Sequence, residues 1–525
     1  MRLHVRSSRS SRSPNARGRL VAAGVAVAAA ALSPLVPGAV AAPSAGPAAA
    51  AAAPTVPRVS WTSCYEWLAA EMATESPLRY ECAQVPVPLD HDAPNGARVL
   101  IRMVRIPASD SEQRIGSLFL NPGGPGGSGI DFALFAGPFL YSPEVRARFD
   151  VVGFDPRGIG RSTQLRCAGS MRQIGPWFPS VPWPETADEI DDWGAADDAL
   201  RSDCDQKGGR ILDHMSTADV ARDLDILRRV VGDEQLTYAG YSYGSYLGTT
   251  YANLFPAKVR AVVVDGVLDP VAWSTGDPGQ QGEPFSARLR SDIGARDTLA
   301  EFFRLCDEAG DGCPFSAPAG SADRYSALEA RLEADPIDLE DFFYDHRALV
   351  LDSLGAMYNS PSWWSFADVL ASLESVAAGD DSPAAVATVE SQRRSLGAGR
   401  GGFPNYAGGE GFYGVACADS DNPDSIDAWA TTAVERAAIS RFGPMWTWVS
   451  SACADWPGSS ADRHTGPWSA ETANPVLVAS TRYDPATPLQ GAERVASLLP
   501  SSRQLTVDGW GHTTLFLSAA ADEAV

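Results

Sequence analysis

Leu236-Thr237-Tyr238-Ala239-Gly240-Tyr241-Ser242-Tyr243-Gly244 is the stretch from which the fold can be read. It opens as an apolar, β-prone run and meets a serine with a glycine two residues away on either side. A helix-compatible sequence follows over 245–254. Strand, tight turn and helix in that order form a nucleophile elbow, in which the flanking glycines permit a strained turn that lifts the serine hydroxyl to the sheet edge. G-x-S-x-G alone recurs by chance in a chain this rich in glycine, so the weight rests on its setting between strand and helix. The plain alternative is a glycine-rich turn with a capping serine.

Outward from this turn, similar short apolar runs recur at 116–120, 149–154, 259–264, 475–479 and 503–507. Each ends in a glycine-rich or Asp-containing turn. Their apolar residues are nearly continuous rather than alternating, which suits strands buried on both faces of a parallel sheet. Between two of them, Ser216 to Val231 carries a serine cap, early acids Asp219 and Asp223, apolar Val220, Leu224, Leu227 and Val231, and Gly232 as a stop. Alternating strand and helix predict an α/β doubly wound, mostly parallel sheet with ligands at the C-terminal strand ends. The interval from 264 to 475 is far too long for one crossover. It contains helical patterns at 296–308, 327–334 and 366–378, many tryptophans and half of the cysteines. The expected organisation is a core over 58–270, a large, mainly helical cap insertion over 271–470 and a return to the core over 471–525.

Residues 1–19 hold six arginines and no acid, 20–32 are apolar, and small residues close the segment near Ala42. That order predicts a secretory signal over 1–42; its apolar middle is shorter than the roughly 20 residues of a membrane span. The absence of adjacent arginines favours the general export route over the twin-arginine one. The Ala/Pro-rich stretch 43–57 predicts a linker or pro-segment. The whole chain has net charge −23, which opposes nucleic acid as a partner. Export and an even count of eight cysteines favour four disulfides. Their spacing suggests neighbours: Cys64 with Cys82, Cys167 with Cys204, Cys306 with Cys313, and Cys417 with Cys453. No C-x-x-C or H-E-x-x-H pattern points to a metal.

A serine hydroxyl needs a base to take its proton. Of the six histidines, His512 alone follows a strand, within Gly509-Trp510-Gly511-His512-Thr513. An acid must then fix the imidazole tautomer. Asp484 follows the run 475–479 and gives the chain order Ser, Asp, His that α/β-hydrolases use. Asp265 and Asp269 compete for that role. The loop Asn121-Pro122-Gly123-Gly124-Pro125-Gly126-Gly127-Ser128-Gly129 can bring backbone N–H groups against a developing oxyanion. The expected donors are the N–H groups of Gly124 and Tyr243. A phosphate-binding loop is disfavoured, since G-K-[ST] is missing and Pro125 removes a donor. Asp155 and Arg157 are expected to be structural, as an ion pair or backbone anchor behind the elbow.

Together 121–129, Asp155-Pro156-Arg157-Gly158-Ile159-Gly160-Arg161-Ser162, 240–244 and 509–513 resemble the secreted actinobacterial tripeptidyl aminopeptidases, relatives of proline iminopeptidase within the α/β-hydrolases. The resemblance covers most of 60–525, including 412–419 and 484–512. Pro122 departs from the iminopeptidase loop His-Gly-Gly-Pro-Gly, standing where that histidine would be. What the resemblance implies is an exported serine exopeptidase that needs no metal or cofactor and releases short peptides from free N-termini. Such an enzyme needs a carboxylate for the substrate ammonium. Glu410 and Asp419 are candidates by position. Related envelope hydrolases are carboxylesterase-like, so a secreted carboxylesterase with the same triad is the alternative. A catalytically silent binding protein is a third reading, disfavoured because all three triad residue types occur in order.

Overall fold

Phe119 is buried in one hydrophobic cluster and its neighbours Leu118 and Leu120 in another. Val151 and Val152 divide in the same way, as do Tyr238 and Ala239, and Val262 and Val263. Successive strand residues face opposite sides, so strands that are apolar throughout need cover on both faces, and this sheet has it. The protein is represented by a computed structural model that describes residues 56–64, 79–170, 172–339, 342–380, 382–395, 409–515 and 517. The expected export signal (1–42) and nearly all of the expected linker (43–57) lie outside them.

The strands in chain order are β1 (Thr62–Ser63), β2 (Glu81–Pro88), β3 (Arg98–Ile106), β4 (Gly116–Asn121), β5 (Phe149–Asp155), β6 (Leu236–Tyr241), β7 (Val259–Asp265), β8 (Ile337–Leu339), β9 (Phe342–Tyr344), β10 (Val476–Tyr483) and β11 (Arg503–Trp510). Nine form one sheet in the order β1-β2-β3-β5-β4-β6-β7-β10-β11, and β8 and β9 form a separate hairpin. From β5 to β11 every pairing is parallel, whereas β1, β2 and β3 add an antiparallel edge. The chain therefore has the α/β-hydrolase arrangement, a mixed but mostly parallel sheet. The antiparallel edge did not stand out in the sequence. Pro86 and Pro88 interrupt β2, and Arg98, Arg102 and Arg105 break the apolar run of β3.

The helix Thr217–Val230 is capped by Ser216, whose side chain accepts from Asp219 N–H, and has Arg228 and Arg229 in its last turn. Such a cap is worth about 1 kcal/mol. Val220, Leu224 and Leu227 are buried in the same cluster as Tyr238 and Val264.

β7 and β10 are sheet neighbours, so all of 266–475 leaves the sheet and returns beside its point of departure. Among the described residues this interval is chiefly helical, its longest helix being Ser291–Ala309. A second excursion, between β5 and β6, joins it. Trp193 of helix Ala187–Lys207 donates to Ser451 Oγ at 2.7 Å, and its ring lies 5.7 Å from that of Trp448. Arg347 reaches back to Glu185 and Glu189 at 3.0 and 2.9 Å. Part of the expected core span 58–270 thus packs with the excursion after β7.

Disulfides join Cys64 to Cys82, Cys167 to Cys204, Cys306 to Cys313 and Cys417 to Cys453. The second and fourth close loops with separations of 37 and 36 residues, each worth about 3–4 kcal/mol in a chain-entropy account. No helix among the described residues is long and apolar enough to cross a membrane.

Candidate active site

β6 ends at Tyr241 and a helix begins at Tyr243, which leaves one residue to reverse the chain. Ser242 does so with φ 57° and ψ −126°, a conformation that costs of order 1–3 kcal/mol for a side-chain-bearing residue. The glycines of the motif have a steric reason. A Cβ on Gly240 would fall 2.2 Å from Gly244 O, and one on Gly244 would fall 2.6 Å from Asn121 O. The turn is held from beside the strand by Ser242 N–H donating to Asp265 O at 2.8 Å.

The loop after β4 crosses over this turn. A Cβ on Gly123 would meet Ser242 Cβ and Tyr243 N, each at 2.9 Å, so only glycine lets the two backbones touch. Gly123 N–H is already spent on Asn121 Oδ1 at 2.9 Å. No hydrogen bond among the described residues uses the N–H of Gly124 or of Tyr243. These are the two expected oxyanion donors. Asp155 secures the far end of the loop, accepting from Ser128 Oγ at 2.6 Å, Ile130 N–H at 3.1 Å and Arg161 N–H at 2.6 Å. Arg157 is fully buried and anchors backbone, donating to the carbonyls of Pro88 and Leu89 and pairing with Asp223 at 2.7 Å.

Asp484 and His512 follow β10 and β11, two and three strands beyond β6. His512 Nδ1 lies 2.9 and 3.0 Å from the two oxygens of Asp484. The carboxylate has no solvent exposure and also accepts from the N–H groups of Ala486, Thr487 and Thr513 and from Thr487 Oγ1. Burial works against its charge, but the His512 imidazole and these donors hold it below the ordinary carboxylate range. Thr487 Oγ1 is also 3.4 Å from His512 Nδ1. The imidazole is also held from the excursion after β7. His512 N–H donates to Tyr358 O at 3.0 Å, and the Tyr358 ring lies edge-on at 5.0 Å. With Nδ1 turned to Asp484, Nε2 is the ring nitrogen left for a proton from elsewhere.

Asp265 and Gly266 bring the pieces together. Asp265 O receives the Ser242 N–H, while a Cβ on Gly266 would touch His512 Cε1 and Thr487 Oγ1. Elbow, acid loop and base loop therefore pack against one residue pair. Burial lowers the imidazole's proton affinity, but the Asp484 carboxylate outweighs it and raises His512 above the ordinary imidazole value. If neutral His512 is the working form, kcat/KM of the free enzyme will fall as pH drops through a pKa above ~6.5. A pH–rate profile checks this, and a rate flat from pH 8 to about 5 would contradict it.

A cavity of about 420 Å³ opens beside the oxyanion loop. Pro122–Ser128 form one wall, Phe132, Ile159 and Leu165 add apolar surface, and Glu410 at the start of helix Glu410–Asp419 is a buried acid among the lining residues. Asp419 is placed elsewhere. It is sealed at the other end of the helix, accepting from Thr217 N–H at 2.8 Å, Thr217 Oγ1 at 2.6 Å and Trp273 Nε1 at 3.3 Å, and it does not line the cavity. Burial pushes its carboxyl up to about 7. Thr217 Oγ1 also bonds the Tyr243 hydroxyl, so Asp419 braces the residue that follows the elbow serine. Sequence reasoning missed Thr487, Tyr358 and Asn121 as supports. Only Asn121 carried a signal, as the first residue of the glycine-rich loop.

Residues 116–295 match the family described as alpha/beta hydrolase fold, and 438–525 match the one described as TAP-like protein. The chain is 32% identical to serine protease Hip1 of Mycobacterium tuberculosis over 480 residues, 87% of this chain and 86% of that one. It is 31% identical to carboxylesterase B of the same organism, over 87% and 84% of the two chains. Against the tripeptidyl aminopeptidase of Streptomyces lividans the identity is 29%, over 85% and 79%. The chain is a serine hydrolase and belongs to the α/β-hydrolases, in the TAP-like family.

Proposed function

We propose that the protein is an exported serine exopeptidase that cleaves short peptides from free N-termini. Ser242 Oγ attacks the scissile carbonyl and His512 Nε2 takes its proton, while Asp484 stabilises the imidazolium. The N–H groups of Gly124 and Tyr243 receive the oxyanion, and His512 returns the proton to the departing amine. Water then enters by the reverse path and releases the acyl group. The four disulfides fit an oxidising compartment outside the cytosol.

The observation that carries the peptidase reading is Glu410, a buried acid among the residues that line the cavity bordered by the oxyanion loop. A carboxylate there suits an ammonium group, which it can orient by charge-assisted hydrogen bonds, and a neutral ester makes no use of it. Two relatives carry peptidase names. The apolar walls at Phe132, Ile159 and Leu165, together with the carboxylesterase relative, favour the second reading, an esterase using the same triad.

A tripeptide anilide with a free amine and its N-acetylated twin separate the two. The free amine is expected to be favoured about ten- to hundredfold in kcat/KM, the scale of one hydrogen bond to a charged group. Glu410→Gln should erase most of that preference by slowing the free-amine substrate alone. Equal turnover of the pair by the wild type, or hydrolysis of simple esters only, would sink the exopeptidase reading.

A further inference from the structure

Asp265 is the last residue of β7 and is fully buried, yet the proposed reaction gives its carboxylate no task. Its main-chain oxygen holds the Ser242 N–H at 2.8 Å. Its carboxylate holds the other side of the site, with Oδ1 and Oδ2 accepting from Thr514 N–H at 2.9 and 3.0 Å and Oδ2 also accepting from Thr514 Oγ1 at 2.9 Å. Thr514 lies two residues beyond His512. One residue on a central strand thus grips the nucleophile's backbone with one group and the base's loop with another. Asp484, which bonds the imidazole directly, makes no side-chain hydrogen bond to the elbow among the described residues.

We infer that Asp265 is a positioning residue that sets the reach between the Ser242 hydroxyl and the His512 imidazole. The inference rests on the triad assignment proposed above. The Asp484 contacts and the His512 N–H bond to Tyr358 O hold the base's loop, but neither ties it to the elbow. The Thr514 clamp supplies that tie through Asp265. A misplacement of about 1 Å between reacting groups costs on the order of a hundredfold in rate, so the clamp acts on kcat and leaves substrate binding alone. The titratable groups that face Asp265 are Asp484, His512 and the Tyr141 phenol. Burial and the nearby Asp484 charge push its carboxyl up to about 7, although the Thr514 donors work in the opposite direction. The negative form stabilises imidazolium on His512, so removing that charge makes His512 easier to deprotonate.

The test compares Asp265→Asn and Thr514→Val with wild type, each active-site-titrated with a fluorophosphonate so that rates are per competent serine. For Asp265→Asn the expected result is a kcat lower by about ten- to a hundredfold, KM within about twofold, and an acid limb of kcat/KM displaced to lower pH. Thr514→Val keeps the charge and loses one bond, so its kcat falls while its acid limb stays in place. An Asp265→Asn protein with wild-type kcat per titrated site and an unmoved limb overturns the inference, even if its melting temperature is lower. If Asp265→Asn does not fold, Thr514→Val decides, and an unchanged kcat there overturns the inference. Ser242→Ala, run alongside, distinguishes the other failure: a variant that still labels and turns over removes the triad assignment instead.

Discussion

Ser242→Ala should cut kcat by about a million-fold while leaving substrate affinity and folding nearly unchanged. The serine hydroxyl is the atom that forms the acyl bond in the proposed reaction, and no water held at the same place can be deprotonated and aimed as well. Folding should survive because Ser242 makes no side-chain capping bond to the helix that follows it. Alanine also has the same difficulty as serine at φ 57°, so the substitution adds no new backbone strain. The variant should lose fluorophosphonate labelling completely and still bind a slow peptide substrate with wild-type affinity. Residual labelling at wild-type rate would place the nucleophile elsewhere.

Asp484→Asn should cost roughly ten-thousand-fold in kcat. An asparagine amide in that place would offer an N–H to His512 Nδ1 where a carboxylate now accepts from it. The imidazole would then carry its proton on Nε2, facing Ser242, and could not accept another. The loss would exceed that of a weakened contact because the tautomer itself is wrong. The substitution also removes the charge that the Ala486, Thr487 and Thr513 N–H groups converge on, so a lower melting temperature should accompany the rate loss. Rates per titrated site separate the two effects. A kcat within tenfold of wild type would show that another acid orients the base.

The parallel part of the sheet is legible in the sequence because Leu118–Leu120, Val151–Val152 and Val262–Val264 are apolar on every residue, a pattern that only cover on both faces rewards. The elbow is legible for a steric reason: Gly240 and Gly244 sit where backbone atoms come too close for any Cβ. The antiparallel edge is not legible, because β3 alternates Arg102 and Arg105 with buried Ile101, Met103 and Val104 and presents a weak, mixed signal. The geometry among carboxylates is less legible still. Asp265, Asp419 and Asp484 are all buried acids near the candidate site, yet one clamps Thr514, one braces Thr217 behind Tyr243 and one meets the imidazole. Chain order ranked Asp484 ahead of Asp265, but nothing in composition or spacing distinguishes an acid that lines a cavity, such as Glu410, from one sealed behind it, such as Asp419. That difference depends on where the two ends of one helix pack, Glu410 at the cavity and Asp419 against Thr217, 202 residues earlier in the chain.

β10 can pair with β7 only once residues 266–475 have been made. Every residue of the elbow precedes Asp484 and His512 in the chain. A chain that stops short of residue 512 lacks the imidazole and cannot carry out the proposed attack by Ser242. Any truncation that removes the last strand and its loop therefore removes the proposed base while leaving every residue of the elbow in place.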